Sequence, residues 1–317
     1  MPVSAWRWGM RQARCLSYFI LGVAAARADP ALFAYRQESF ASAVTPRAEH
    51  ARYREFAVSY PSPMTTEFPA NNTVHGQLYL PRSATATQRV PGVIVLHILG
   101  GPDGPSQLLA AHLARDGFAA LHLVMPLYGP RGDGKHRFIS TDVDLTVQLV
   151  RQAVMDIRRG ADWLAARPDV APDQIGITGI SLGGHLACLA FSVDPRFRAA
   201  ALGLTGGDLA KILTAGELSA RRRGEMEAQG LTYETLRGKL AAIDPLTHAR
   251  GLHRRDDILM FNARGDEVVL PECADQLWEA LDKPRRYWLH AGHYTAIIYL
   301  PDVADLTGEF FRRRFSP

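Results

Sequence analysis

The sequence predicts an α/β domain built on a mostly parallel sheet, and three observations carry that expectation. Apolar, β-branched runs alternate with amphipathic stretches of helical period from about residue 93 to the end of the chain. The run Val93-Ile94-Val95-Leu96 is apolar without a break, as expected of a strand covered on both faces. The 317 residues, 47% apolar and 21% charged, have an ordinary globular composition, and alternating strands and helices around one sheet place ligands at the C-terminal strand edge.

The first 28 residues differ from the rest. Arg7, Arg11 and Arg14 precede an apolar run from Cys15 to Ala26, and Ala26-Arg27-Ala28 offers an A-x-A cleavage site before Asp29. This is the pattern of a secretory signal peptide cleaved after Ala28, so the expectation is a secreted or periplasmic protein whose mature domain spans 29–317. The run is short for a transmembrane helix, and no membrane insertion is expected once the leader is removed; an uncleaved anchor is the alternative. Without the leader's four arginines the formal charge falls from +4 to zero. The clusters Arg221-Arg222-Arg223 and Arg312-Arg313-Arg314 then read as solvated helix faces, and no nucleic-acid partner is expected. Only Cys188 and Cys273 remain, enough for one bridge at most. With no C-x-x-C or H-E-x-x-H pattern, neither a metal site nor a cofactor is implied.

Residues 30–55 are mixed and are expected as short irregular or helical pieces over the core. Alternation at 56–60 and 73–80 suggests an antiparallel opening pair of strands. Asn71-Asn72-Thr73 matches a glycosylation sequon, a pattern short enough to arise by accident. Strands are then expected at 93–96, 118–124, 174–178, 199–204, 258–261 and 286–289. Helices are expected at 107–115, along the Val150, Val154, Ile157, Ala161, Leu164 stripe, at 185–191, near 274–281 and near 302–311. The polar segment 207–252, between two strands, is expected as a helical cap. His97 and His122 end or lie inside apolar strands and are expected in the core or behind the site.

The chemistry centres on Gly179-Ile180-Ser181-Leu182-Gly183-Gly184, between an apolar strand and a helical run. Glycines let the chain reverse sharply there, leaving the serine oxygen clear at a helix N-terminus. Ser is also an ordinary N-cap and Gly an ordinary turn residue, so the flanking elements and the partners must decide. A serine nucleophile needs a base and a group that orients the base. Asp266, behind Arg264-Gly265, and His293, behind Ala291-Gly292, both follow strands whose C-terminal ends share an edge with Ser181. Glu267 and His290 are their rivals, Glu267 expected exposed and His290 at a strand end.

This G-x-S-x-G-G elbow, G-D acid turn and G-H ending, in the order Ser, acid, His, resemble those of α/β-hydrolases, over nearly all the sequence from about residue 56. The nearest in style are the dienelactone-hydrolase-like and acetyl-esterase-like members. The resemblance implies Ser181 as nucleophile, Asp266 as acid and His293 as base. It also implies oxyanion donors at the backbone N–H groups of Leu182 and of Leu99 in His97-Ile98-Leu99-Gly100-Gly101, with Ile98 the alternative to Leu99. Dienelactone hydrolases use cysteine where this chain has Ser181, which shifts the expected small-molecule substrate towards simple carboxylic esters of short-chain acids. Tyr128 and Arg131, in the loop 126–131, are candidate substrate contacts, weighed against packing. Two other readings stand beside the esterase. One is a prolyl-oligopeptidase-like peptidase, whose resemblance implies a large accessory propeller although only residues 29–92 lie between the leader and the strand at 93–96. The other is a non-catalytic binding protein on the same scaffold, which all three filled triad positions disfavour.

Overall fold

The computed structural model describes residues 29–216 and 223–316. The expected leader and the cluster residues Arg221 and Arg222 lie outside these residues. Nine strands form one sheet in the order β1-β2-β3-β5-β4-β6-β7-β8-β9. The strands are β1 (Ala43–Glu49), β2 (Tyr53–Pro61), β3 (Thr73–Pro81), β4 (Val90–Leu96), β5 (Ala119–Val124), β6 (Val170–Ile180), β7 (Phe197–Gly203), β8 (Ile258–Ala263) and β9 (Arg285–Leu289). The pairs β1–β2, β2–β3 and β3–β5 are antiparallel, and all pairs from β5 through β9 are parallel. The mostly parallel α/β sheet expected from the sequence is thus present, with its antiparallel strands gathered at one side.

Helices cover both faces, which is why β5 and β8 are buried at every residue. On one face α2 (Val143–Ala165) and α3 (Leu182–Val193) pack a core that includes Leu149, Val154, Ile157, Leu186 and Phe191 against Ile94, Leu121 and Ile177. On the other, α1 (Pro105–Arg115) and the C-terminal helix pack Leu109, Leu113 and Phe311 against Val93, Val95, Ala120 and Phe261. Asp142 starts α2 by accepting from the Leu145 N–H at 3.0 Å, the usual N-cap device. Between β7 and β8 the expected cap region carries α4 (Leu209–Ala215), α5 (Arg223–Ala228), α6 (Tyr233–Leu240) and α7 (Pro245–Ala249). Two helices complete the fold, α8 (Pro271–Ala280) and α9 (Leu300–Phe315). In the last turn of α9, Arg312 pairs with Asp116, Arg313 with Glu309 and Arg314 with Asp257, so that cluster is the solvated, ion-paired face expected.

One expectation is corrected, and two points left open by the sequence are settled. Residues 30–55 are not all irregular or helical: after a short 3-10 turn at Pro30–Phe33 they supply β1 and the start of β2. β1 is an edge strand with six of seven residues exposed and Pro46 at a register shift, so it has no alternating apolar pattern to read. The sequon asparagine, Asn71, is fully buried. Its Oδ1 accepts from the Leu127 N–H at 2.9 Å, which holds Leu127 at a φ of 63°. Cys188 and Cys273 are free and buried, and burial pushes both thiols up to about 12, well away from reactive thiolate chemistry. Among the described residues no helix is long and apolar enough to cross a membrane.

Candidate active site

Four strand ends build the site. β6 delivers Ser181, β8 the turn to Asp266, β9 the loop to His293, and β4 the loop His97–Gly101. Ser181 sits at φ 56°, ψ −116°, a conformation that an L-residue adopts at a cost of about 1–3 kcal/mol, and it opens α3 as its N-cap. Its neighbours explain how the turn is held. The Ser181 N–H donates to the Gly203 carbonyl at 2.8 Å. A Cβ on Gly183 would lie 2.4 Å from the Leu96 carbonyl oxygen, so only glycine lets the first turn of α3 press onto the end of β4.

The three side chains singled out in the sequence converge. His293 Nε2 lies 3.0 Å from Ser181 Oγ, and His293 Nδ1 lies 2.9 Å from each Asp266 oxygen. Asp266 Oδ1 also accepts from the Val268 and Val269 N–H groups, at 3.0 and 2.7 Å, so the carboxylate is locked in orientation. A carboxylate accepts only, so Nδ1 carries the imidazole proton and Nε2 turns its lone pair towards the serine hydroxyl. Such a chain can withdraw a proton from Ser181 Oγ and return it to another atom. The acid and base loops are also tied directly, the Gly265 N–H donating to the Ala291 carbonyl at 3.0 Å.

Glu267 departs from its expected exposure. It is half-buried, and its Oε2 accepts from the His293 N–H at 3.1 Å, so it fixes the backbone of the base rather than facing solvent. His290 is exposed, and the contacts of a base are made by His293.

Leu182 opens α3 directly after the serine, and Leu99 borders both cavities that reach Ser181. Two side chains clamp the Leu99 loop. The Met125 N–H donates to His97 Nε2 at 3.0 Å, so Nδ1 of His97 bears the proton and donates to the Ile98 carbonyl at 2.7 Å. In a trans peptide the C=O and the following N–H point opposite ways, so the Leu99 N–H is turned away from the His97 ring. Tyr128 donates its hydroxyl to the Leu99 carbonyl at 2.7 Å. Tyr128 is therefore a support for this loop as well as a wall of an adjoining cavity of 570 Å³.

Arg131, expected as a candidate substrate contact, is fully buried away from the site. Its guanidinium donates to the Val124 and Asn71 carbonyls at 2.9 and 2.7 Å and pairs with Asp156 at 2.7 Å. It is an interior tie between the loop after β5 and α2, and nothing in its neighbours along the sequence signals Asp156.

A serine, histidine and aspartate joined in one hydrogen-bonded chain at the C-terminal edge of this sheet define an α/β-hydrolase, and the chain belongs to that class. Within it, the chain is dienelactone-hydrolase-like: the profile of the Dienelactone hydrolase family matches residues 74–209, and that of the Prolyl oligopeptidase family matches residues 144–298. An acetyl xylan esterase from Paenibacillus sp. R4 has a similar fold (TM-score 0.68, 20% identity, 89% of this chain and 91% of that one). So does acetyl xylan esterase 1 from Thermoanaerobacterium sp. JW/SL YS485 (TM-score 0.67, 17% identity, 90% and 92%). Among curated sequences, an uncharacterized protein of Mycobacterium tuberculosis is 30% identical over 174 residues, which is 54% of this chain and 40% of that relative's length.

Three histidines around the site are buried. Burial holds His97 down to about 4, His122 to about 3 and His185 to about 4, against an ordinary 6.5. Because the folded values lie below the unfolded one, the unfolded chain takes up protons first, and stability is lost as pH falls from 6.5 towards 4. By pH 5 each histidine is expected to remove on the order of 1–2 kcal/mol. Thermal melts between pH 7.5 and 5 should show a falling midpoint, with a shallower fall in His122→Gln; parallel falls in both proteins would contradict this role for His122.

Proposed function

We propose that the protein is a serine carboxylesterase for small acyl groups, working through an acyl-enzyme on Ser181. The observation that carries the proposal is the Ser181–His293–Asp266 chain on a strained turn bordering an apolar cavity. In this reading His293 Nε2 takes the Ser181 proton as Oγ attacks the ester carbon, and Asp266 stabilises the imidazolium that forms. The developing oxyanion is received by the N–H groups of Leu182 and Leu99. His293 gives its proton to the departing alkoxide, then activates the water that releases the acid.

A cavity of 80 Å³ runs from Ser181 beneath the cap, lined by Leu182, His185, Leu186, Leu209, Ile243 and Val269 among others. Its volume suits an acyl chain of a few carbons. The esterases of similar fold and the Dienelactone hydrolase match favour ester cleavage. The Prolyl oligopeptidase match favours peptide cleavage as a second reading, and peptide nitroanilides tested beside esters separate the two. Export is part of the proposal on the strength of Arg7, Arg11, Arg14 and the Ala26-Arg27-Ala28 site.

Ser181→Ala should abolish both hydrolysis of nitrophenyl acetate and covalent labelling by a fluorophosphonate, with turnover reduced at least about ten-thousand-fold. Asp266→Asn should fall nearly as far, whereas Glu267→Gln, which keeps an oxygen for the His293 N–H, should lose less than about tenfold. Labelling that survives in Ser181→Ala would place the nucleophile elsewhere.

Across nitrophenyl esters from acetate to palmitate, kcat/KM should favour acetyl to butyryl over long chains by at least about tenfold. A maximum at long chains, or a jump on emulsification, would instead make the cap a lipase lid. Sequencing the N-terminus of protein recovered from an exporting host should give Asp29 first; an intact Met1 would remove the case for leader cleavage.

A further inference from the structure

Ser181 borders a second cavity, an open groove of 520 Å³. The small cavity beneath the cap includes Leu182 and His185 in its lining but not His293, whereas the groove includes His293. That difference fixes which part of an ester belongs in each. When Ser181 Oγ forms its bond to the acyl carbon, the bond from that carbon to the alcohol oxygen breaks. The proton taken from the serine then passes from His293 Nε2 to the alcohol oxygen. The leaving oxygen must therefore lie within hydrogen-bond reach of Nε2, and the alcohol it carries lies on the His293 side.

The groove's chemistry restricts that alcohol. Of its lining side chains only those of Ser181, His293 and Tyr294 carry a polar atom, and none of the lining residues is Asp, Glu, Lys or Arg. Its walls come from Pro105 at the start of α1, Leu204 after β7, Phe261 on β8, and Ile297, Leu300 and Val303 around the start of α9. At its mouth Tyr294 and Ile297 are 60% and 46% exposed, so the apolar wall of the groove continues to the protein surface. A sugar or polyol seated there would give up hydrogen bonds to water with few replacements. An alkyl or aryl group would exchange water for apolar surface.

We propose that the groove on the His293 side of Ser181 binds the alcohol part of the ester and selects apolar alkyl or arylalkyl alcohols over polyols and sugars. The assignment rests on the esterase reading above, and it adds a substrate class to it: acetate-like esters of hydrophobic alcohols.

The test uses the full chain and isomeric esters, so that overall hydrophobicity cancels. Hexyl acetate and ethyl hexanoate have the same atoms, and the assignment expects hexyl acetate to be preferred at least about tenfold in kcat/KM. Along ethyl, butyl and hexyl acetate, each methylene buried in the groove should raise kcat/KM by up to about fourfold. Hexyl acetate should also exceed a xylose monoacetate by at least about tenfold. In Ile297→Asp, which alters a half-exposed position at the mouth, the hexyl-to-ethyl acetate ratio should drop at least about fivefold. Equal or reversed rates for the isomeric pair would put the groove on the acyl side. A flat acetate series, or preference for the sugar ester, would overturn the selectivity. These outcomes leave the esterase reading standing, because each needs turnover. No turnover of any ester, with no fluorophosphonate labelling of Ser181, would defeat that reading and the groove assignment together.

Discussion

The backbone conformation of Ser181 is the constraint on which the site depends. A non-glycine residue at φ 56° persists only where its surroundings over-determine it, and here they do. β6 fixes the chain before the serine, α3 fixes it after, and the Gly203 carbonyl on β7 holds its N–H. His185 adds a bond from behind: its Nε2 accepts from the Gly206 N–H at 3.4 Å, so its Nδ1–H donates to the Ser181 carbonyl at 2.8 Å. The close approach of Gly183 to the end of β4 then sets the distance between the elbow and the His97–Gly101 loop. One strained residue thus coordinates three strand ends, and the rigidity of the helix-covered centre of the sheet is what makes the strain sustainable.

Much of this was legible in the sequence because the signals were local. Strand, glycine turn and helix lie together around Ser181, and Gly265-Asp266 and Gly292-His293 follow apolar strands in the expected order. The sheet class followed from uninterrupted apolar runs such as 93–96. What was not legible depends on contacts distant in the chain. β1 is specified by the backbone of β2 and carries no pattern of its own. Arg131 looks like any loop arginine until Asp156, 25 residues on, and Asn71, 60 residues back, are brought beside it. Glu267 reads as a surface acid until the β9 loop folds over it. The division of space on either side of Ser181 was equally hidden, since the groove draws its lining from β4 through α9.

The polar interior around Arg131 shows how the fold holds the loop after β5, from which Tyr128 supports Leu99. Arg131, Asp156, Ser62, Gln152 and the Asn71 carbonyl form one hydrogen-bonded group between the 3-10 turn at Pro69–Asn72 and α2. Removing one partner of such a buried pair leaves an uncompensated charge, typically a loss of about 3–5 kcal/mol. The group contributes nothing to bond breaking. It fixes the loop from which Tyr128 reaches the Leu99 carbonyl, so its effect on the site runs through position rather than contact.

The burial of Asn71 bears on where the protein can be made. In a eukaryotic secretory pathway, sugar is transferred to asparagine while the chain is still extended, before any packing can conceal the acceptor. A glycan added to Asn71 at that stage could not be accommodated in the interior that the folded chain closes around this residue. The sequon would then convert a sound polypeptide into one barred from its own native state. Expression in a host without that machinery avoids the conflict, as does replacing Thr73, which abolishes the acceptor triplet yet leaves the asparagine and its partners in place.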